Sequence, residues 1–182
     1  MRDGPKSLAS TWAAGVDPTN GQALVYDATN RLFLPADLVY DKIAARLRHS
    51  AVQSTANNTP VALTFDTEDY DSGGLHAAGN PTRLTAGIAG NYRIYGNVNW
   101  ATGTGFRDLY IRKNGADILA YVRIPAVSGS GTLLTITTDD DLAAGDYVEL
   151  VAVQNSGGAL NVNFVARYSP VFGMRRVGEK LS

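Results

Sequence analysis

From Asn91 to Trp100 apolar and polar positions alternate, with Tyr92, Ile94, Val98 and Trp100 on one face and Arg93, Tyr95, Asn97 and Asn99 on the other. Alternation with a period of two predicts a half-buried strand, because successive side chains of an extended chain point to opposite sides. The same pattern runs through Leu160 to Tyr168, where Leu160, Val162, Phe164, Ala166 and Tyr168 alternate with Asn161, Asn163, Val165 and Arg167. Phe106–Lys113, then Asn114-Gly115, then Asp117–Ile124 reads as a hairpin, since Asn-Gly tolerates the positive φ angles of a type I′ turn. Further strands are predicted at Ala44–Gln53, Val61–Asp66, Thr132–Thr138 and Tyr147–Gln154. So many short antiparallel strands in one domain predict two packed sheets.

The first forty-odd residues follow a different pattern. Met1 to Pro18 is rich in Gly, Ser, Ala and Pro, with Trp12 as its one large anchor, and has too little apolar surface to fold alone. In Gly21 to Leu38, Ala23 and Val25 on one side and Leu32 and Leu34 on the other flank the turn-like Asp27-Ala28-Thr29-Asn30, which predicts a small hairpin. Two readings stay open for Ala36 to Ala45: a short helix capped by Asp37, with Leu38, Ile43 and Leu47 on one face, or a direct run into the first strand of the main body. The expected division is an extended N-terminal segment over residues 1–43 and an all-β domain over 44–182.

Composition supports this picture and removes several function classes. The 182 residues include 19 glycines, set in turns at short intervals. A formal net charge of −1 offers no positive field for nucleic acid or an anionic membrane. No apolar run reaches the ~18–20 residues of a membrane span, and the N-terminus lacks a signal peptide's apolar core, so neither insertion nor that export route is expected. With no cysteine, packing and oligomerisation are left to supply stability.

The search for chemistry gives little. His49 and His76 stand apart from any ligand pair, and no nucleophile elbow, phosphate loop or dinucleotide fingerprint is present. Asp66-Thr67-Glu68-Asp69-Tyr70-Asp71 and Asp139-Asp140-Asp141 are the two acidic clusters; a carboxylate-rich loop is one way to hold calcium. Neither has EF-hand spacing, and both read more simply as solvated turns, while a glycosidase pair would need a cleft that no pattern indicates. No enzyme, metal or cofactor is expected.

Several segments carry a resemblance. ARLRHSAVQS (Ala45–Ser54), PVALTFDTEDYDSGGLH (Pro60–His76), TRLTAGIAGNYRIYGNVNW (Thr82–Trp100), IRKNG (Ile111–Gly115), LAAGDYVELVAVQNSGG (Leu142–Gly158) and SPVFGM (Ser169–Met174), in this order, resemble the complement globular-head and tumour necrosis factor superfamily, most of all its bacterial and bacteriophage branch. GQALVYDATNRLFLPADL (Gly21–Leu38) is similar to a short segment that often precedes fibre and tail domains in phage structural proteins, although Phe33 stands near the position where that segment prefers Trp. The resemblance implies an antiparallel jelly-roll sandwich of two sheets behind an extended attachment segment. It further implies a virion protein made in the host cytoplasm: a capsid or tail decoration, a spike or a short fibre. Trp12, Val25, Tyr26, Leu32 and Phe33 would then attach it to other virion proteins, and a host surface glycan or protein would be its outward partner. A bacterial carbohydrate- or protein-binding module of the same superfamily is the alternative.

Members of that superfamily associate as homotrimers. Here the strand Tyr147–Gln154 carries Val148, Leu150 and Ala152 on one face and Val151 and Val153 on the other. A neighbouring subunit is expected to cover the second face together with Tyr95 and Val165, at ~1.5–3 kcal/mol per large apolar side chain buried.

Overall fold

In a computed structural model of the chain, which describes residues 23–27, 32–36 and 43–181, every regular element is a strand. The chain divides into two units, Met1–Tyr40 and Asp41–Ser182. In the first, β1 (Ala23–Asp27) pairs antiparallel with β2 (Leu32–Ala36), with Val25 opposite Leu34 and Tyr26 opposite Phe33. This is the hairpin expected around Asp27 to Asn30. Trp12 and the rest of residues 1–18 lie outside the described residues.

The second unit runs β3 (Ala44–Arg48), β4 (Gln53–Thr55), β5 (Val61–Ala62), β6 (Thr67–Asp71), β7 (Arg83–Thr85) and β8 (Gly90–Trp100). It continues with β9 (Phe106–Lys113), β10 (Asp117–Pro125), β11 (Thr132–Leu142), β12 (Tyr147–Gln154), β13 (Leu160–Asn163) and β14 (Val171–Gly178). One sheet is ordered β10-β9-β12, with the short β5 and β7 both pairing β12. In the other, β8 pairs β11 along its whole length; β14 holds the opposite side from Asn91 to Asn97 and β13 continues it at Asn99 and Trp100. Beyond β14 follow β3 and β6, and beyond β13 follows β4. All pairings are antiparallel.

The two sheets close on one core. Tyr92, Ile94, Val98 and Trp100 of β8 are all fully buried, as the alternation demands, and meet Leu109 and Ile111 of β9 and Val148, Leu150 and Ala152 of β12. Phe65 stacks on Phe172 at 5.5 Å between ring centroids. Gly96 is the core-facing position of β8 that no large side chain could take: a Cβ there would stand 2.7 Å from both methyl carbons of Leu150. Inward positions of β9 read Arg107, Leu109, Ile111, Lys113, so the apolar centre is flanked by cations at both ends. Lys113 reaches across to Asp140 of β11 at 3.4 Å and to Asp146 at 3.3 Å.

The sandwich of two antiparallel sheets is as expected, and the hairpin at Asn114-Gly115 is realised: both residues have positive φ (51° and 74°) and Lys113 O accepts from Ala116 N at 3.0 Å. Several boundaries differ. Ala44–Gln53 is two strands in different parts of the sheet, broken at residues 49–52. The strand from Leu160 stops at Asn163, because the chain folds back on itself through a Val165–Ser169 bridge. Ala36 ends β2 and Ala44 and Ala45 open β3, and the short helix weighed for Ala36 to Ala45 otherwise falls on residues 37–42, outside the described residues. Both acidic clusters turn out to be strand: Thr67–Asp71 is β6, and Asp139 to Asp141 lie in β11. Carboxylates suit these positions because each meets a donor on the neighbouring strand or turn.

Candidate functional site

The outward face of the seven-stranded sheet concentrates charge that the overall balance of −1 hides. Alternation on β3 buries Ala45 and Leu47 and turns Arg46 and Arg48 outward; Arg175 on β14 and Arg93 on β8 share that face. Arg93 makes a two-pronged pair with Asp139 directly opposite on β11, with Nε–Oδ1 and Nη2–Oδ2 both 2.9 Å. That pair holds the Asp139 carboxyl below the usual carboxylate range. One pairing further along, Tyr95 lies across Gly173 of β14, where a Cβ would stand 2.2 Å from the tyrosine Cζ. Its hydroxyl comes within 3.5 Å of that of Tyr70 on β6. Burial, then the Tyr70 contact, push the Tyr95 hydroxyl well above the ordinary tyrosine value.

At the β3–β6 edge of this face lies a hollow of about 490 Å³ lined by Arg46, Arg48, Asp69, Ala166 and Arg167. β6 slips its register against β3 between Arg46 and Leu47, so that Tyr70 faces Arg46 and Glu68 faces Leu47 while Asp69 is the extra residue between them. From there Asp69 meets Arg48, Nε–Oδ1 2.6 Å, and Arg46, Nε–Oδ2 3.3 Å. The other wall is the loop after β13. Val165 N donates to Ser169 O at 2.8 Å and Ser169 N to Val165 O at 3.1 Å, closing a tight turn with Ala166 and Arg167 at its tip. Arg46 Nη2 donates to Arg167 O at 2.8 Å, and Asn97 Nδ2 donates to Tyr168 O, so the turn is clamped onto the sheet.

No family model matches the chain, and no curated protein matches it. Solved structures do. Eiger TNF from S. frugiperda superposes with a TM-score of 0.61 at 12% identity, over 77% of this chain and 95% of that one. Murine APRIL gives 0.58 at 12% identity over 73% and 97%, and the globular domain of zebrafish complement 1qA gives 0.53 at 14% identity over 76% and 100%. The fold is the jelly roll of the tumour necrosis factor and complement globular-head proteins. At these identities the likeness concerns the fold alone.

Within this jelly roll the four residues expected at a subunit interface do not form one surface. Tyr95 belongs to the seven-stranded sheet and Val165 to the turn folded over it, whereas Val151 and Val153 are on β12 in the other sheet. Val151 is fully buried within the single chain, between Tyr110 of β9 and Ala62 of β5, so no second subunit is needed to cover it. Much of the outward face of that sheet is engaged by its own ion pairs and rings, although Ile118, opposite Arg112 on β9, is 58% exposed. Arg123 pairs with Asp108 through two 2.7 Å bonds and lies 3.9 Å over the Phe106 ring. Tyr110 stacks with Tyr121 at 6.1 Å, and the nearly buried Glu149 accepts from Arg112 at 2.8 Å and from Thr82 at 3.1 Å.

Most of the remaining chemical candidates are engaged by protein partners, although His49 Nδ1 and His76 Nε2 find no hydrogen-bond partner among the described residues. In the first acidic cluster Asp66 accepts from Ser50 N at 2.9 Å and Ser50 Oγ at 2.6 Å, and Glu68 meets His76 Nδ1 at 2.7 Å. Asp71 accepts from the backbone N–H groups of Gly73, Leu75 and His76 at 3.2, 3.0 and 2.8 Å, organising the loop that follows it. Among the described residues no group of three or more His, Asp or Glu is placed to hold a metal ion. His49 Nδ1 stands 3.7 Å from Asp66 Oδ2, away from His76 and its partner. The alternation of Ala45 and Leu47 with Arg46 and Arg48 is a signal that could have placed the two arginines on one outward face, yet Asp69 and Arg167 join them only through a bulge and a tight turn that no local pattern announces.

Proposed function

We propose that this chain is a structural protein of a bacteriophage particle, held by its first forty residues and presenting a homotrimeric jelly-roll head that stabilises the particle or touches the host surface. The observation that carries the proposal is the pairing of two unlike parts. A hairpin segment, Gly21–Leu38, worded like those that precede phage fibre and tail domains, forms a unit separate from the jelly roll. Association through the outward face of the seven-stranded sheet is supported by what that face exposes between β8 and β11. Tyr95, Thr135 and Thr137 line it, and Leu133 keeps more than half of its surface in water. The other sheet's outward face is largely occupied by its own ion pairs and stacked rings, with Ile118 as its most exposed apolar side chain. A binding and structural role agrees with carboxylates that are held in structural contacts.

Sedimentation equilibrium at micromolar concentration tests assembly, with three times the 19.3 kDa chain mass expected. Leu133→Asp places a charge on the exposed patch and should shift the mass toward the monomer; a wild-type monomer sinks the trimer. Removing residues 1–40 should leave a folded head that no longer enters particles. Incorporation of the truncated head at full level, or absence of the full chain from purified particles, would overturn the virion role.

A further inference from the structure

We infer that the hollow between β3, β6 and the 165–169 turn is a binding site for an acidic saccharide, a sugar chain bearing carboxylate or sulfate groups. Three guanidinium groups, Arg46, Arg48 and Arg167, line it against one carboxylate, Asp69. Asp69 is shared by Arg46 and Arg48 and so fixes their planes while neutralising only one charge. Among the described residues Arg167 has no side-chain partner. The hollow therefore carries a net charge of about +2 in a protein whose overall balance is −1, counting its four ionised side chains. Guanidinium forks recognise carboxylate and sulfate oxygens through paired, charge-assisted hydrogen bonds, which makes an oxyanion the matching ligand.

Backbone geometry points the same way. Arg167 has φ +78°, a region that a non-glycine residue occupies at a cost, and Arg46 holds its carbonyl in that state. Strain of this kind, clamped by the very arginine that lines the hollow, presents the Arg167 side chain at the tip of the turn. The volume of about 490 Å³ lies in the range of small-ligand sites, roughly 300–1,000 Å³. Two exposed aromatic residues neighbour the lining residues without lining the hollow themselves: Tyr70, paired opposite Arg46, and Tyr168, next after Arg167 in the chain. A bare anion has no use for such rings, whereas the C–H faces of a sugar pack on them, which favours a saccharide over a free ion. The site lies at the β6 edge of the sheet, the opposite edge from β11, so it does not require the subunit contact proposed above to be absent.

Calorimetric titration of the full chain tests this with a sulfated oligosaccharide, a polyuronate oligosaccharide, a neutral oligosaccharide of equal length, inorganic sulfate and an oligoglutamate peptide. The expected result is saturable, salt-sensitive binding of one or both acidic saccharides and none of the neutral one. Arg167→Gly removes the charge and relieves the strained backbone, so it should fold at least as well as the wild type while weakening binding about tenfold or more. Arg48→Gln should weaken it similarly. The sedimentation mass of each variant is measured alongside, so that loss of assembly is told apart from loss of the site. The inference is overturned if no saccharide binds, if the neutral one binds equally, or if sulfate or oligoglutamate binds as tightly as the acidic saccharides. It is also overturned if Arg167→Gly leaves the affinity unchanged.

Discussion

Gly173 and Tyr95 form a single contact made by two residues on neighbouring strands. With Phe172 and Met174 pointing into the core, position 173 faces outward, and the tyrosine ring lies where any side chain there would have to be. Gly173→Ala must therefore expel the ring from the sheet and break its approach to Tyr70, at about 1–3 kcal/mol by the usual cost of overpacking. In a Tyr95→Ala background the same change should cost little, since the obstacle is gone, and the coupling should emerge from a double-mutant cycle of denaturant midpoints. Additive effects would show that the ring does not lie over the glycine in solution. Arg107 is the opposite case, a residue whose setting is costly. It is fully buried, its Nη1 donates to Thr104 O at 2.8 Å and Phe106 O at 2.9 Å, and among the described residues it meets no carboxylate and its Nε and Nη2 find no acceptor. Burial lowers its pKa, and the Trp100 ring 5.7 Å away gives partial compensation through its π face.

Elements differ in how much of them could be read from the chain. β8, β9 and β12 were legible almost to the residue, because each spans the core and the central inward positions are apolar: Ile94, Leu109 and Leu150 leave no freedom of phase. β6 was not legible, since an edge strand with one outward face and a bulge needs no apolar period, and TEDYD reads as a loop. β14 was missed as a strand for a related reason: Gly173 interrupts its outward row under Tyr95, and Arg175 and Arg176 follow Met174 directly. The candidate site suffered most, being assembled from β3, a bulge and a turn far apart in sequence. The second acidic cluster escaped because its partners, Arg93 for Asp139 and Lys113 for Asp140, are remote. Once Asp71 is seen to accept three backbone N–H groups, it ceases to be a solvated turn former. Asp71→Ala should lower stability by about 1–3 kcal/mol, since it strips donors at the part-buried Leu75 and His76 of their acceptor. Thermal unfolding checks this, and a strong chelator should leave the wild-type melting temperature unchanged; a calcium-reversible fall would reassign these carboxylates to a metal.

At the scale of the molecule, the two sheets place ionisable groups of like behaviour on both sides of the sandwich, which fixes the shape of its stability against pH. Burial raises the hydroxyl pKa of Tyr95 on one outward face and of Tyr110 and Tyr121 on the other, the last helped by Asp108. Lys113, which ties the sheets together, is also raised, because Asp140 and Asp146 outweigh its desolvation. A group raised in the folded state contributes stability that is complete below its unfolded pKa and lost as pH climbs toward the folded one. With unfolded values near 10 for tyrosine and near 10.4 for lysine, the loss should begin at about pH 10. On the acid side Asp139 is lowered by Arg93 and Asp146 by Asn114. Asp66 is lowered because hydrogen bonds from Ser50 and Thr67 outweigh its desolvation. Their contribution is present above about pH 4 and fades as pH falls through the folded values. These carboxylates are partly solvated, so the acid limb should be shallow, whereas Tyr95 is half-buried beside Tyr70 and its desolvation is the largest cause of its shift, so the alkaline limb should be the steeper of the two. Denaturant midpoints should therefore hold a plateau from about pH 5 to 9 and fall sharply above about pH 10. Tyr95→Phe removes the most strongly raised hydroxyl without emptying its place over Gly173, and should flatten the alkaline fall while leaving the plateau in position. An alkaline limb unchanged by that substitution would mean that the Tyr95 hydroxyl is open to solvent and that the face it shares with Tyr70 is not packed as described.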